Sequence, residues 1–345
     1  MKGEHFLVVS VPTRLDFRSA LDYLYQKCSG QLTGKTVVFS RIFLSDIANQ
    51  EAVLKKSRIF SFLPECSCSI VGQPPADLSQ VAILVYFLDA PLKNYQLVYQ
   101  CNQIAKVITG SSFDQTRQIF KDYCDTLAAK GQTLLANSLR TWVFVRDIDN
   151  NYGGMVKARK ELFESEGLTP RSRYLASTGI EAQLDDPKVL VSMDAVSLYP
   201  LQTAQIVRME ARRYLNPTYE YGVTFERGTE IIYGDRAHLY ISGTASINSK
   251  GEIVHPFDVE RQTVRAITNV SALLSGQGAI LSDMKYLIVY LRNLADFPSA
   301  EKIIRSKFVE TPVIFAQGAV CRPNWLVEIE GEAIIPTESR YLPFS

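Results

Sequence analysis

Apolar and polar residues follow the same order three times along the chain. Each repeat begins with an amphipathic helix, continues with a strand that ends near an Asp or Asn, adds a second helix and closes with two strands. In the first repeat Asp16 is predicted to cap the helix, which stops at Gly30, and residues 36–46 are predicted to form the strand. One face of that helix carries Phe17, Ala20, Leu21, Leu24 and Cys28.

The second and third repeats keep this order with different residues. Ser112 and Gln115 predict a capping box ahead of an apolar helical face, and residues 140–149 predict the strand that follows. In the third repeat an apolar stripe from Val259 to Leu274 precedes a strand predicted over 285–294. Each repeat is thus a sheet with two helices on one face, and its other face needs cover. The pattern predicts an α+β fold.

The three units are expected to cover one another around a pseudo-threefold axis, as a pseudo-trimer within one chain. A linear string of three domains is the alternative, but no long linker rich in Gly, Ser or Pro separates the repeats. The predicted boundaries are a degenerate unit over 1–92, a second unit over 93–200, an insertion rich in Arg and Tyr over 201–229, and a C-terminal unit over 230–345.

Charge and composition exclude several classes of function. The 37 Lys and Arg residues balance 36 Asp and Glu residues, so no global field favours a nucleic-acid backbone or an anionic membrane. No stretch approaches the roughly 20 apolar residues of a membrane span, and the N-terminal apolar run is too short for a signal peptide. Six scattered cysteines and three histidines do not form a metal-binding pattern. We expect a cytoplasmic protein without a metal or cofactor.

The third repeat resembles a known family. The segments ISGTASI (241–247), DVERQTVRAITNV (258–270) and VEIEGEAI (327–334) resemble the Rid family, also called YjgF or L-PSP, whose members form homotrimers with ligand pockets between subunits. The resemblance implies three Rid-like units in this chain. The chain lacks the Arg-x-Cys signature of small Rid enamine deaminases and has Cys321-Arg322 instead.

A wider set of motifs resembles the chorismatases, single-chain relatives that cleave the enolpyruvyl ether of chorismate. These motifs are RTW (140–142), ASTGI (176–180), SGTASI (242–247) and CRPNWLVEIEG (321–331). The resemblance implies a monomeric pseudo-trimer that takes a small dianionic substrate, chorismate, and releases pyruvate. It implies one functional pocket, between the second and third units.

The closing strand of the third unit carries an acid that the other two units lack. Alignment after Leu-Val places Ser192 and Tyr86 at the position of Glu328, and alternation puts Glu328, Glu330 and Glu332 on one face of the strand. A solvated face is the alternative explanation for such a row. Glu328 also matches the chorismatase acid, which protonates the terminal methylene carbon of the substrate. Burial beside apolar walls keeps such a glutamic acid protonated near neutral pH.

The resemblance implies a substrate with two carboxylates, which Arg side chains bind through paired hydrogen bonds. Tyr hydroxyls are plausible donors. Small residues in the SGTASI strand permit close approach of a ligand, and a simple bulge explains them equally well. The predicted substrate-binding residues are Arg140, Tyr152, Arg159, Arg213, Tyr214, Arg227, Gly234, Gly243, Thr244 and Ala245.

Gly234 and Cys321 match positions at which chorismatases with different products differ. Their combination resembles the subgroup that releases 3-hydroxybenzoate, rather than the subgroup that adds water to give a dihydroxycyclohexadiene carboxylate. Cys321 is the second predicted catalytic residue, either as a partial thiolate beside Arg322 or as a buried thiol. Two alternatives to chorismatase activity stay open: a Rid-type deaminase of enamines or imines, and a non-catalytic module that binds small carboxylates.

Overall fold

The first unit is a four-stranded sheet with helices packed on one face. The computed structural model describes residues 3–345. The elements of this unit are β1 (Glu4–Ser10), α1 (Phe17–Leu32), β2 (Thr36–Leu44), α2 (Ile47–Leu54), α3 (Arg58–Phe62), β3 (Cys68–Val71) and β4 (Val81–Leu88). The strand order is β1-β4-β2-β3, with a parallel β2–β3 pair. As predicted, Asp16 caps α1, since its side chain accepts hydrogen bonds from the backbone of Arg18 and Ser19.

The second unit repeats this sheet. Its elements are β5 (Gln96–Ile104), α4 (Ser112–Ala128), α5 (Leu134–Asn137), β6 (Ser138–Val145), α6 (Ile148–Ser165), β7 (Ala176–Glu181) and β8 (Val191–Tyr199). The strand order β5-β8-β6-β7 matches that of the first sheet. The capping box of α4 is formed by Ser111 and Asp114, one residue before the predicted pair. Gln115 instead donates to the carbonyl oxygens of Ile108 and Lys188.

The third unit extends the same sheet to six strands. Its elements are β9 (Ile206–Arg208), β10 (Gly228–Ile232), β11 (Arg236–Ala245), α7 (Val259–Ser275), β12 (Met284–Leu291), α8 (Phe297–Lys307), β13 (Val313–Gln317) and β14 (Val327–Pro336). The strand order is β13-β12-β14-β11-β10-β9. Across the part of the chain that the structure describes, no helix is long and apolar enough to cross a membrane.

The sheets of the three units share one central core. In the first unit, the helices cover the face that carries Ile42 and Ile83, whereas Phe43 and Leu84 on the opposite face join the central core. Trp142 of the second unit belongs to the same core, which continues into the third unit. The units also exchange backbone hydrogen bonds, as between Gly72 and Gln183. The α+β fold and its three-unit arrangement are confirmed.

Strand pairing fixes which residues of the closing strands are equivalent. The pairs Leu44–Val81, Val145–Val191 and Leu291–Val327 occupy the same place in the three sheets. The residues that follow, Ala82, Ser192 and Glu328, are therefore equivalent. This corrects the sequence alignment, in which Tyr86 took the place of Ala82. The acid is still confined to the third unit.

Buried charges meet where the three units come together. Arg41 of β2 contacts Asp194 of β8 at 2.8 Å, and Arg140 of β6 contacts Glu330 of β14 at 2.8 Å. Arg41 lies 3.8 Å from the same Glu330 carboxylate. All four side chains are buried, so the free-energy cost of removing their charges from water is offset only while every partner stays in place. We call Arg41, Arg140, Asp194 and Glu330 the central charge cluster.

A second buried cluster joins the first unit to the third. His238 of β11 lies 3.2 Å from Glu4 and 3.0 Å from Glu332, and Arg236 also binds Glu4. Burial would lower the pKa of His238, but the two carboxylates raise it to about 9. Burial would raise the pKa of Glu4, but the charge and hydrogen bond of His238 bring it to about 2. His238 is therefore a protonated link between two carboxylates.

We expect the free energy of unfolding to fall as pH rises from about 6.5 to about 9. Over that range folded His238 keeps the proton that it loses in the unfolded chain. His238→Gln removes this titration and flattens the fall. Urea unfolding at several pH values measures both slopes, with the exposed His5→Gln as a control. An unchanged slope in His238→Gln would contradict the assignment.

Candidate active site

A cavity lies between the second and third units. The second unit contributes α6 and β7, and the third contributes β11, the segment before β14, and the start of β14. Phe225 and Arg227, which precede β10, complete the wall. The predicted site residues that line the cavity are Tyr152, Arg159, Arg227, Gly243, Ala245, Cys321 and Glu328.

Glu328 is the carboxyl group of this cavity. It is the second residue of β14 and pairs with Ala245 on one side and Tyr290 on the other. Burial, and then the charge of Glu330, raise the pKa of Glu328 to about 8, although Arg227 and Arg140 act in the opposite direction. The carboxyl is therefore protonated at neutral pH. A buried acid of this kind donates a proton without help from a metal or cofactor.

A β-bulge in β11 makes room for the Glu328 carboxyl. The pairing of β11 with β14 shifts between Ile241 and Thr244, and Gly243 lies in the shifted segment. A Cβ atom at Gly243 would overlap the Glu328 carboxyl, so the position requires glycine. The amide of Gly243 donates to Oγ1 of Thr178 at 3.0 Å, which fixes the bulge against β7.

The equivalent position between the first and second units is filled by a side chain. The pairing of β5 with β8 shifts between Gln100 and Gln103, so Asn102 corresponds to Gly243. Asn102 accepts a hydrogen bond from the amide of Ile70 and donates to the carbonyl oxygen of Cys68. The amide side chain of Asn102 therefore lies where the Glu328 carboxyl lies beside Gly243 in the other cleft.

Three arginines face the cavity. Arg159 of α6 donates to Thr224 and Ser177 at 3.3 Å each, and Arg227 donates to the carbonyl oxygen of Asn216 at 3.1 Å. Arg322 lies in the segment before β14. Both Arg159 and Arg227 are buried, so their positive charges act at low dielectric on anything in the cavity. The arrangement suits a small anion with more than one acidic group.

Four predicted binding residues lie elsewhere. Arg140 belongs to the central charge cluster, where its guanidinium donates a hydrogen bond to the Glu330 carboxylate. Arg213 and Tyr214 line a separate surface groove beside α7. Gly234 packs against the C-terminal segment and donates to the carbonyl oxygen of Leu342. Their link to the substrate rests on the sequence resemblance alone.

Thr244 is the remaining predicted residue on the β11 strand. It is buried, and its hydroxyl donates to the carbonyl oxygen of Ser242. Its neighbours Gly243 and Ala245 line the cavity, whereas Thr244 does not. Period-two alternation along the strand accounts for this difference.

Cys321 lies across the cavity from α6. Burial, and then the nearby Glu328, raise the pKa of the Cys321 thiol to about 12, although a hydrogen bond with Tyr152 acts in the opposite direction. Of the two forms expected from the sequence, this environment favours the thiol over the thiolate. Cys321 is thus suited to contacting an intermediate, and a nucleophilic role would need the thiolate.

Several lining residues were missing from the sequence prediction. Ser177 and Thr178 lie in the ASTGI motif, and Arg322 and Trp325 lie in the CRPNWLVEIEG motif. These four residues could have been predicted from the two motifs, since the motifs place them next to residues that resemble the chorismatase site. Phe225, in the insertion, had no such marker.

Comparisons with known proteins agree with this architecture. The family model described as Endoribonuclease L-PSP matches residues 231–335. A RutC family protein of Pyrococcus abyssi is 35% identical over 97 residues, which are 28% of this chain and 76% of the relative. A 3-aminoacrylate deaminase RutC of Acinetobacter baylyi is 28% identical over 97 residues, or 28% of this chain and 77% of the relative. The chain belongs to the RutC family, which is part of the Rid, YjgF or L-PSP superfamily.

The similarity to chorismatase extends beyond the C-terminal unit. A chorismatase of Streptomyces hygroscopicus is 24% identical over 240 residues, which cover 65% of this chain and 68% of the relative. A chorismatase crystal structure superposes with a TM-score of 0.69 at 17% identity, over 96% of this chain and 99% of that one. Within its superfamily, this chain is a homologue of chorismatase with the same fold.

Replacement of Glu328 is expected to stabilise the protein. The unfolded carboxyl ionises near pH 4.5 and the folded one near 8, so the contribution of Glu328 to the free energy of unfolding falls between these pH values and then levels off. Glu328→Gln removes this contribution, while the fall due to His238 remains, and gains up to about 5 kcal/mol relative to wild type, at about 1.4 kcal/mol per pKa unit. Urea unfolding between pH 4.5 and 8.5 measures the difference, with the exposed Glu338→Gln as a control. A constant difference between wild type and Glu328→Gln would contradict the raised pKa.

Proposed function

We propose that this protein cleaves the enolpyruvyl ether of chorismate and releases pyruvate, with Glu328 as the general acid. The observation that carries the proposal is a buried carboxyl, protonated at neutral pH, in a cavity lined by arginines. The homology to chorismatase supports the choice of substrate. The activity would thus arise from one cleft of a threefold scaffold.

Glu328 is suited to the first chemical step. Protonation of the terminal methylene carbon converts the enol ether to an oxocarbenium ion, and it needs an acid that retains its proton near the working pH. The Glu328 carboxylate that remains then stabilises the cation at short range. The ether oxygen leaves as the keto oxygen of pyruvate when its bond to ring carbon C3 breaks. The oxygen of the neighbouring C4 hydroxyl bonds to C3 as pyruvate departs, and its bond to C4 then breaks as the ring becomes aromatic, so the hydroxyl group ends at position 3. Protonation by a side chain supplies the driving force, so the proposal includes no metal or cofactor.

The arginines match the charges of the substrate. Chorismate carries one carboxylate on the ring and one on the enolpyruvyl group, and Arg159, Arg227 and Arg322 face the cavity. Guanidinium groups held by Thr224 and Asn216 are already oriented before a ligand arrives. Two bound carboxylates would fix the ether between them and beside Glu328.

The proposed ring product is of the 3-hydroxybenzoate type. Formation of 3-hydroxybenzoate and pyruvate consumes no net water, because the proton gained by the methylene carbon balances the proton lost when the ring becomes aromatic. Exclusion of water from the intermediate therefore favours this product, and the half-buried Cys321 lies in the wall of the cavity. Gly234 lies against the C-terminal segment and adds no support from geometry.

A Rid-type deamination of enamines or imines is the second candidate. A relative named as a 3-aminoacrylate deaminase is 28% identical over 97 residues, and the family model described as Endoribonuclease L-PSP matches residues 231–335, which include Glu328. A carboxylate clamp would serve either reaction. Ammonia release from imines formed by amino-acid oxidation distinguishes this activity from ether cleavage.

Incubation with chorismate tests the proposal directly. We expect pyruvate and an ultraviolet-absorbing aromatic product in equal amounts, with kcat falling above a pH of about 8 as Glu328 ionises. Glu328→Gln keeps the shape but removes the acid, and should lower kcat by about 10² to 10⁴ while chorismate still binds. Coupled pyruvate detection and calorimetric binding measure the two effects. Near-normal kcat in Glu328→Gln would exclude the mechanism, and binding without turnover by wild type would favour the non-catalytic module.

Arg227→Ala should act mainly on binding. The lost charge-assisted hydrogen bonds are worth roughly 1.5 to 3 kcal/mol, so KM for chorismate should rise by about 10- to 100-fold with a smaller change in kcat. Arg261→Ala, an exposed arginine at the start of α7, is the matched control. Steady-state kinetics at several chorismate concentrations separate KM from kcat. An unchanged KM in Arg227→Ala would remove this residue from the binding site.

A further inference from the structure

An ion pair outside the cavity joins its two walls. Arg292 follows β12 of the third unit, and its guanidinium donates to both carboxylate oxygens of Asp149 at 3.0 Å. Asp149 lies in the first turn of α6, in the second unit. The same guanidinium donates to the carbonyl oxygen of Val320 at 2.7 Å. Arg292 therefore connects α6 with the segment that leads into β14.

Each residue that Arg292 binds lies a few positions before a cavity-lining residue in the sequence. Tyr152 follows Asp149 by three residues on α6, which places the two on the same side of the helix. Cys321 directly follows Val320. Tyr152 and Cys321 share a hydrogen bond across the cavity. A shift of α6 relative to the Val320 segment would therefore change this contact first.

Its geometry separates this pair from ordinary surface ion pairs. Exposed pairs contribute little because water screens them and both side chains lose freedom. Asp149 is 45% exposed, but the Arg292 side chain is only 20% exposed, and its third hydrogen bond holds it to the backbone of its own unit. The hydrogen bond and charge of Arg292 lower the pKa of Asp149, so the carboxylate is ionised at neutral pH. Arg292 therefore joins the two walls through an ion pair whose orientation is fixed by three hydrogen bonds.

We propose that Asp149 and Arg292 are positioning residues that set the separation of Tyr152 and Cys321 across the cavity. The expected effect of this pair on catalysis rests on the proposed function, because the separation of the cavity walls governs how closely the reaction intermediate is held. Neither residue lines the cavity, and the pair acts through α6 and through Val320. Loosening the link widens the cavity without removing any group from it.

Two variants test the proposal through kinetics. Asp149→Asn keeps the shape and removes the charge, and Arg292→Ala removes the whole link. Both should lower kcat on chorismate, by about 3-fold and about 10-fold respectively, with a change in product ratio and a KM within about 2-fold. The double variant should be no worse than Arg292→Ala, because Asp149 acts only through Arg292. Asp149→Glu, which keeps the carboxylate, should recover most of the loss.

A second readout is independent of turnover. The rate at which a small thiol reagent labels Cys321, followed by mass spectrometry, should rise severalfold in both variants, whereas labelling of the exposed Cys66 stays constant. Lys160→Gln removes an exposed ion pair on the same helix and serves as the matched control, with wild-type labelling and kinetics expected. Thermal unfolding checks that all variants are folded.

The outcomes separate the two proposals. Faster Cys321 labelling in both variants supports the link even if wild type does not turn over chorismate, in which case only the proposed function fails. Wild-type labelling, kcat and product ratio in Arg292→Ala would overturn the link and leave the proposed function intact. Additive losses in the double variant would also overturn it, because they would show that Asp149 acts independently of Arg292.

Discussion

The Glu330 carboxylate holds the three units together. It lies at the middle of β14, where guanidinium groups from the first and second units reach it together with Trp142 and Tyr290. Alternation along the strand then places Glu328 and Glu332 on the same face at either side. Glu330 is paired with two close cations. His238 contacts Glu332, although burial still raises the pKa of that carboxyl, and Glu328 has more distant arginines and keeps its proton. One strand thus carries three carboxyl groups with different partners.

The order of elements in the repeats and the position of Glu328 were predictable, because both follow from patterns of neighbouring residues. Apolar stripes at helical spacing gave the three units, and an acid without a counterpart identified Glu328. Arg140 shows where such reasoning stops. An arginine suits a carboxylate of the substrate and a carboxylate of the protein equally well, and its partner lies 190 residues away in the sequence. Only the packing of the second sheet against the third decides between them.

Equivalent positions were harder to assign because apolar alternation repeats every two residues. The short Leu-Val pattern matched Tyr86 with Glu328, whereas strand pairing shows Ala82 in that place. Gly234 was chosen by spacing alone and lies at the C-terminal segment. In contrast, the bulge at Gly243 follows from the run of small residues in its strand, although the sequence did not show that a carboxyl of the protein fills the space.

Asn102 and Gly243 occupy matching positions on β5 and β11, yet Asn102 fills its cleft with an amide side chain, whereas Gly243 leaves room in its cleft for the Glu328 carboxyl. In an assembly of identical subunits a single codon would set all three positions at once, so every cleft would gain or lose its ligand space together. Covalent linkage of the units removes that constraint. A substitution enters this protein once instead of three times, so the cleft of Asn102 is free to hold the first two units together while the cleft of Gly243 keeps an acid whose burial costs stability.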